Sequence, residues 1–376
     1  MITDFIMILI CKIIFPLLIF FCIFASLNEF LTMKRIFYTV FAIVALVFAS
    51  CNNKVDLYSD DGDTTIVYAM LDVQADTNFF KITKSFIGNA NELAHDYDAN
   101  NYKYDELEVK FSGIFEGSST PETIMLDTIS IWIPYDENST FYSGCYQTYY
   151  YTTRQLLEGK EYTLDILRKA DDVNISAKTK TINSFVFKKP ATNIVGFTGQ
   201  SASVEWKVRD ASTMFHSTAS YFEVYGYFHY KELMPGAQDT VRRNIKWFLG
   251  EGTEASLFTA INNDMFYTIG YTPNALFDVI ATNYYLLNNS PVGVQRWFED
   301  FEFRISATGE ELYNYNLINN SSSAIQDVPN YTNVTNGNGL MSSRVSKSKF
   351  CKILENTRLK IVADFPQFGF INDPNR

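Results

Sequence analysis

From Thr64 onward the chain runs in short segments of alternating apolar and polar residues, separated by clusters of turn-forming residues. "TTIVYAML" (64–71), "FFKITKSF" (79–86), "LEVKFSGIF" (107–115), "TISIWI" (128–133) and "YTLDIL" (162–167) each carry the two-residue period of a half-buried strand. In the second of these, Phe80 and Ile82 share a face, and Lys81, Thr83 and Ser85 take the other. The polar stretch 88–106 suits a helical turn and loop. A boundary is expected at "FVFKKPATN" (185–193), after which the pattern restarts with strands over 194–208, 220–233 and 244–252. "TPNALFDVIATNYYLL" (272–287) predicts a helix, with Thr272 as N-cap, Pro273 at the first helical position and apolar residues at helical spacing. "WFEDFEFRISATG" (297–309) returns to strand, with Phe301, Phe303 and Ile305 pointing inward. Residues 318–338, rich in Asn and Ser, read as a long loop, and "LKIVADF" (359–365) as a final strand.

In the restarted pattern, Val204-x-Trp206 and the later alternation Tyr221, Glu223, Tyr225 resemble the opening strands of fibronectin type III-like sandwiches. The expected fold is therefore mainly β: two β-sandwich-like domains of immunoglobulin or fibronectin III type, over 64–188 and 189–376, the second with inserted helices. Such a likeness carries no function by itself.

Upstream of Thr64 the character changes. An apolar run over 6–27, interrupted by Lys12 and Pro16, is followed by a second, "IFYTVFAIVALVFAS" (36–50). Its fifteen residues fall short of the roughly 20 that span a bilayer as a helix. They suit the core of an export signal, and "MKR" (33–35) supplies the basic region that precedes one. Residues 33–50 are accordingly expected to be a signal peptide and 1–32 an upstream extension of the reading frame. The rival reading makes 6–27 a true membrane anchor. Ala49 and Ser50 before Cys51 resemble the cleavage box of bacterial lipoproteins, with Phe48 in place of the commoner Leu or Val. The resemblance implies that Cys51 becomes the first mature residue and carries a diacylglycerol and a further acyl chain. More than one chain is what makes anchoring stable. The polar run 51–63, ending in "SDDGD", is too charged to pack and reads as a flexible acidic tether.

Composition adds two constraints. Aromatic residues make up 16% of the chain, which favours pleated, half-buried surfaces. Net charge is −11, and the first fifty residues contribute +1, so the remainder is more acidic still. Nucleic acid is disfavoured as a partner. Of five cysteines, only Cys145 and Cys351 lie beyond the Cys51 junction, without the spacing of a metal or thiol-exchange motif. Whether they pair or stand as buried free thiols is left open by the sequence.

Candidate chemistry is sparse. The three histidines, His95, His216 and His229, form no zinc or metalloprotease motif, and no nucleophile elbow or phosphate loop is present. His229, between Phe228 and Tyr230 on a strand, reads as structural. Asp96, Asp98 and Asn100 alternate like the first ligands of a calcium loop, yet Asn101 and Leu107 stand where that loop needs Gly and Glu. They are a cation-site candidate beside the simpler reading of a solvated loop. Asp300 and Glu302 share a strand face and invite comparison with glycosidase carboxylates, though a wet position near Arg304 explains them as well. "YQTYYY" (146–151) offers rings that could stack on sugars or on a protein, or simply fill the core.

Three longer stretches, "VYAMLDVQADTNFFKITKSFIGNANELAHDYDANNY" (67–102), "YFEVYGYFHYKE" (221–232) and "IQDVPNYTNVTNGNGLMSSR" (325–344), together resemble uncharacterised lipoproteins of Bacteroidetes-type bacteria, each a lipobox followed by a domain of unknown function. The resemblance implies residence in the cell envelope, lipid-anchored at the outer membrane, periplasmic or surface-exposed, and offers no catalytic residues. It also brings an O-glycosylation pattern, Asp-Thr followed by a methyl-bearing residue, met at Thr64, Thr128 and Thr240. Asn138 and Asn333 stand in N-glycosylation sequences, which would matter only in a eukaryotic secretory path. The expectation is a non-enzymatic binding or accessory protein for an envelope protein or a glycan, tied to membrane lipid through acylated Cys51, without metal or cofactor. The alternative is an envelope hydrolase acting on polysaccharide or peptide.

Overall fold

Alternation along β1 (Thr65–Leu71) buries Thr65, Val67, Ala69 and Leu71 and turns Tyr68 and Met70 outward, and the same period builds most of the body. The computed structural model describes residues 64–85, 104, 106–134, 145–208, 216–262, 264–320 and 331–373. Among the described residues the protein is mainly β, with 55% strand and 15% helix. The strands after β1 are β2 (Asn78–Lys84), β3 (Leu107–Gly113), β4 (Glu122–Met125), β5 (Asp127–Ile133), β6 (Cys145–Thr152), β7 (Glu161–Arg168), β8 (Val173–Lys180) and β9 (Phe185–Lys189). Then come β10 (Ile194–Val195), β11 (Ala202–Val208), β12 (Tyr221–Leu233), β13 (Val241–Thr253), β14 (Phe258–Ile261), β15 (Asp264–Tyr271), β16 (Gln295–Thr308), β17 (Val334–Thr335), β18 (Asn338–Ile353) and β19 (Phe370–Ile371).

They form three sheets. A ten-stranded sheet runs β13-β12-β16-β18-β1-β2-β6-β5, with β10 attached to β18 and β19 to β16. A five-stranded sheet, β17-β8-β7-β3-β4, and a four-stranded sheet, β14-β15-β11-β9, complete the set. One face of the large sheet is the core face. At the β1–β2 end it meets the five-stranded sheet, where Phe80 packs against Phe111 at 4.9 Å. At the β12–β16 end it meets the four-stranded sheet, where Phe222 lies 5.1 Å from Trp206 and 5.2 Å from Tyr267. The spans 64–188 and 189–376 share this sheet, because β1 pairs with β18 from the far end of the chain.

β18 holds the two ends together. Its first half pairs parallel to β1, Ile66 with Asn338 through Leu71 with Ser343. Its second half pairs antiparallel to β16, Thr308 with Arg344 through Asp300 with Lys352. Gly339 has φ +116°, and a Cβ there would lie 2.0 Å from the Val67 carbonyl oxygen, so only glycine permits this approach.

Helix α4 (Glu310–Asn320) crosses the outer face of the large sheet. Its Tyr313 stacks on Tyr221 at 5.0 Å, and its Tyr315 hydrogen-bonds Tyr68. The buried Ser342 hydroxyl donates to Glu311 at 3.0 Å and accepts from the Leu312 amide at 3.1 Å. The other α-helices among the described residues are α1 (Glu254–Leu257), α2 (Ala275–Ala281), α3 (Tyr284–Asn288) and α5 (Glu355–Asp364).

Three sequence readings are corrected here. Residues 359–365 form no strand: α5 covers 359–364 with Phe365 as its C-cap, and its buried positions, Thr357 and Ile361, are four apart, one helical turn. The helix expected over 272–287 is two, because the Asn283 side chain caps a new start by accepting from the Leu286 amide at 3.1 Å. The expected loop 318–338 overlaps the end of α4, contains β17 and stops where β18 begins.

Candidate functional site

The outer face of β13, β12, β16 and β18 is the chemically richest surface among the described residues. Alternation on β12 sends Phe222, Val224, Phe228 and Tyr230 inward, leaving Glu223, Tyr225, Tyr227, His229 and Lys231 outside. On β16 Phe301, Phe303, Ile305 and Ala307 are fully buried inward, so Glu302, Arg304 and Ser306 face out. Strand register then sets Arg304 beside Tyr225 and Ser348, and Glu302 beside Tyr227 and Phe350.

Glu302 is at the centre and only 2% exposed, covered by its neighbours on the solvent side of the sheet. Ser348 donates to Oε1 at 2.5 Å, Arg304 Nε to the same oxygen at 2.8 Å, and His229 Nε2 lies 3.1 Å from Oε2. A carboxylate only accepts, so the His229 proton sits on Nε2. Burial pushes the Glu302 carboxyl up, but the bonds from Ser348, His229 and Arg304 outweigh it and hold the group below its ordinary range. The Arg304 guanidinium lies 4.5 Å over the Tyr227 ring and the Lys246 ammonium 4.0 Å over Tyr225. These groups, with Arg344, Ser306, Ser346 and Glu223, line a trough of about 590 Å³.

Further along β16 the pairing with β12 slips between Phe228 and Tyr230, so that Glu299 and Asp300 both stand opposite His229. Such a bulge re-aims side chains. Glu299 turns to Arg242, whose Nε donates at 2.6 Å, and to Lys231 at 3.4 Å. Asp300 turns into a separate cavity of about 750 Å³, which Glu299 and Lys231 also line together with Trp297, Phe298, Lys352 and Arg358. Its Oδ1 is buried with no hydrogen-bond partner among the described residues, and the same holds for Arg358 Nε. Burial raises the Asp300 carboxyl, against the opposing pull of His229 and Arg242.

The core side of the same strand is different. Arg296 is 0% exposed. It donates to Glu232 Oε2 from Nε at 2.8 Å and Nη2 at 2.6 Å, and to the Asn289 carbonyl at 2.6 Å. Nη1 reaches the Ser290 hydroxyl at 2.9 Å and the Phe368 carbonyl at 2.5 Å. The other Glu232 oxygen accepts from Tyr285 at 2.6 Å and Arg243 at 3.2 Å. Burial raises the Glu232 carboxyl, yet these donors leave it lowered.

The remaining sequence candidates fall in several places. Cys51, Asp96, Asp98, Asn100 and His95 lie outside the described residues. Thr64 precedes β1 with its amide donating to Ser85 Oγ at 3.1 Å. Thr128 is exposed on β5, an edge of the large sheet, and Thr240 is exposed on the cavity rim. Cys351 is a buried free thiol, raised by burial. Of "YQTYYY", Tyr146 is 66% exposed and meets Trp132 edge-on at 5.1 Å, whereas Tyr150 packs against the core. Among the described residues no group of three or more His, Cys, Asp or Glu side chains is placed to hold a metal ion. Among them, too, no helix is long and apolar enough to cross a membrane.

The carboxyl pair Asp300 and Glu302 is split, one raised and one lowered, as acid–base catalysis requires. Both Glu302 oxygens are nevertheless taken by protein donors, so only Asp300 has an oxygen free for a ligand. The placement of Lys352 and Arg358 along one cavity with Asp300 escaped sequence reading. Its one local signal was the paired acid at 300 and 302.

No protein-family model matches this chain, and no curated protein is significantly similar to it in sequence.

Proposed function

We propose that this chain is a non-enzymatic binding or accessory protein of the cell envelope, lipid-anchored at the outer membrane through Cys51. The observation that supports binding over hydrolysis is the Glu302 arrangement. The one acid central to the open sheet face is ionised and saturated by Ser348, Arg304 and His229, beside tyrosines capped by cations. A glycosidase needs two carboxyls that both reach the substrate. This face instead offers aromatic edges, hydroxyls and fixed charges, the chemistry of recognition of a glycan or protein partner. Facing aromatic-lined sheets in each half support a sandwich reading of immunoglobulin or fibronectin III type. The junction "FASC" at 48–51 and the lipoprotein resemblance support the address.

The address is tested by fractionating cells that express Cys51→Ala. Release into the soluble fraction is expected, and continued tight membrane association would overturn lipid anchoring through Cys51. The activity is tested by incubating the detergent-solubilised full chain with oligosaccharides. Retention without cleavage is expected, and turnover would favour the hydrolase.

A further inference from the structure

We infer that the cavity at the β16 bulge is a binding site for a saccharide bearing carboxylates. This deepens the binding-protein reading above and rests on it. The groups left over by the protein's own bonding select the ligand. Glu299 is occupied by Arg242 and Lys231. Among the described residues this cavity leaves one buried acceptor, Asp300 Oδ1, and one buried donor, Arg358 Nε, unsatisfied. Among the described residues Lys352 and Arg358 meet no carboxylate at ion-pair distance. A matching ligand supplies a hydrogen-bond donor, an acceptor, a negative charge and a face for the Trp297 and Phe298 wall.

Four chemistries can be compared. Sulfate or a phosphodiester satisfies the cations but has no O–H to donate to Asp300, and a phosphate monoanion or dianion, which has one, offers no face to the apolar wall. A neutral sugar supplies hydroxyls that both donate and accept, yet leaves the half-buried Arg358 guanidinium without an anion, while the exposed Lys352 keeps its water. A free amino acid has both charges but is small for about 750 Å³, a volume typical of sites that enclose larger ligands. A uronate-containing chain meets every requirement. Its carboxylate takes charge-assisted bonds from Arg358 and Lys352, a ring hydroxyl donates to Asp300, and its C–H face lies along the apolar wall. The net charge of −11 opposes approach, but ionic screening confines that field to about 8 Å at physiological salt. The local cations therefore decide.

The test is calorimetric titration of the detergent-solubilised full chain with a galacturonate tetramer and with its methyl ester, with products checked by chromatography. The free acid is expected to bind at least about tenfold more tightly than the ester, a difference of about 1.4 kcal/mol. Arg358→Met and Lys352→Met should each weaken it by a similar factor, and Asp300→Asn should also weaken it. Unchanged unfolding midpoints would show that these variants still fold. Equal affinity for acid and ester, or full affinity in both Arg358→Met and Asp300→Asn, would overturn the inference. So would loss of binding in Arg304→Ala alone, which would move the ligand to the trough and leave the proposed function standing. Absence of any binding also overturns the inference alone, whereas cleavage of the tetramer would overturn the binding-protein reading itself.

Discussion

Arg296 and Asp300 lie four residues apart on β16. The first meets Glu232 in the core, and the second shares a cavity with Arg358. Around Arg296, Nε, Nη1 and Nη2 all have acceptors, and those acceptors come from β12, the end of α3 and the turn before β19. Around Asp300, whose Oδ2 lies 3.6 Å from Arg242, the other carboxylate oxygen and the Arg358 Nε are buried without partners among the described residues. The chemical types are the same. What differs is whether the surrounding backbone completes the hydrogen bonds. A completed cluster fixes how segments join, and an incomplete one keeps capacity for something else.

This contrast can be broken most sharply at Arg296. Arg296→Met strands Glu232 in the core with Arg243 and Tyr285 as its remaining donors. A loss of about 3–5 kcal/mol in urea unfolding is expected, the cost of leaving a buried charge unpaired. Arg358→Met, by comparison, should change stability by no more than about 0.5 kcal/mol. Equal losses would mean that the cavity is structural too.

Glu302→Gln comes next, at about 1–3 kcal/mol, since it weakens three bonds to a buried acceptor. Its pH dependence follows from the lowered carboxyl. The wild-type contribution is complete above the unfolded glutamate range, about 4.3, and disappears as pH falls through the lower folded value. The variant should therefore lose stability at neutral pH and flatten the acid limb of the curve.

Asp300 has the opposite sign. Its carboxyl is raised, so its relative contribution is complete below the unfolded aspartate range, about 3.9, and is lost as pH rises through the folded value. Asp300→Asn is expected to raise the unfolding midpoint slightly at neutral pH and leave it unchanged in acid. Together with the expected loss of ligand, that would mark a position where stability is given up for function. The smallest effect belongs to Arg242→Ala. Its bond to Glu299 is half in solvent, and thermal unfolding should register less than about 1 kcal/mol.

How much of this was legible depends on how faithfully side-chain period reports burial. β12 and β16 bury one face against the four-stranded sheet, and the inward placement of Phe301, Phe303 and Ile305 could be read directly. β18 breaks the rule. Its first half is covered on both sides, and the buried residues include Ser342 and Ser343, whose hydroxyls bond to Glu311 and to the Leu71 carbonyl. Polar residues satisfied by distant partners look like loop in a sequence. "LKIVADF" is a short apolar run whose period favours neither helix nor strand, and α5 is set by Thr357 and Ile361 together. That error also hid Arg358. The cavity draws on the β12–β13 turn, the β16 bulge, the end of β18 and α5, which only the sheet order brings together.

The parallel pairing of β1 with β18 also sets a timetable. Residues 66–71 find their neighbours at 338–343, some 270 positions later. Loop closure over such a distance is slow relative to local hairpins. β1 can take its final place only after nearly the whole chain has emerged. A chain shortened before Asn338 would leave β1 with one neighbour instead of two and an open sheet edge in the middle of the molecule. Folding is thereby coupled to completion of the polypeptide, and truncated products should be recognisable by their aggregation.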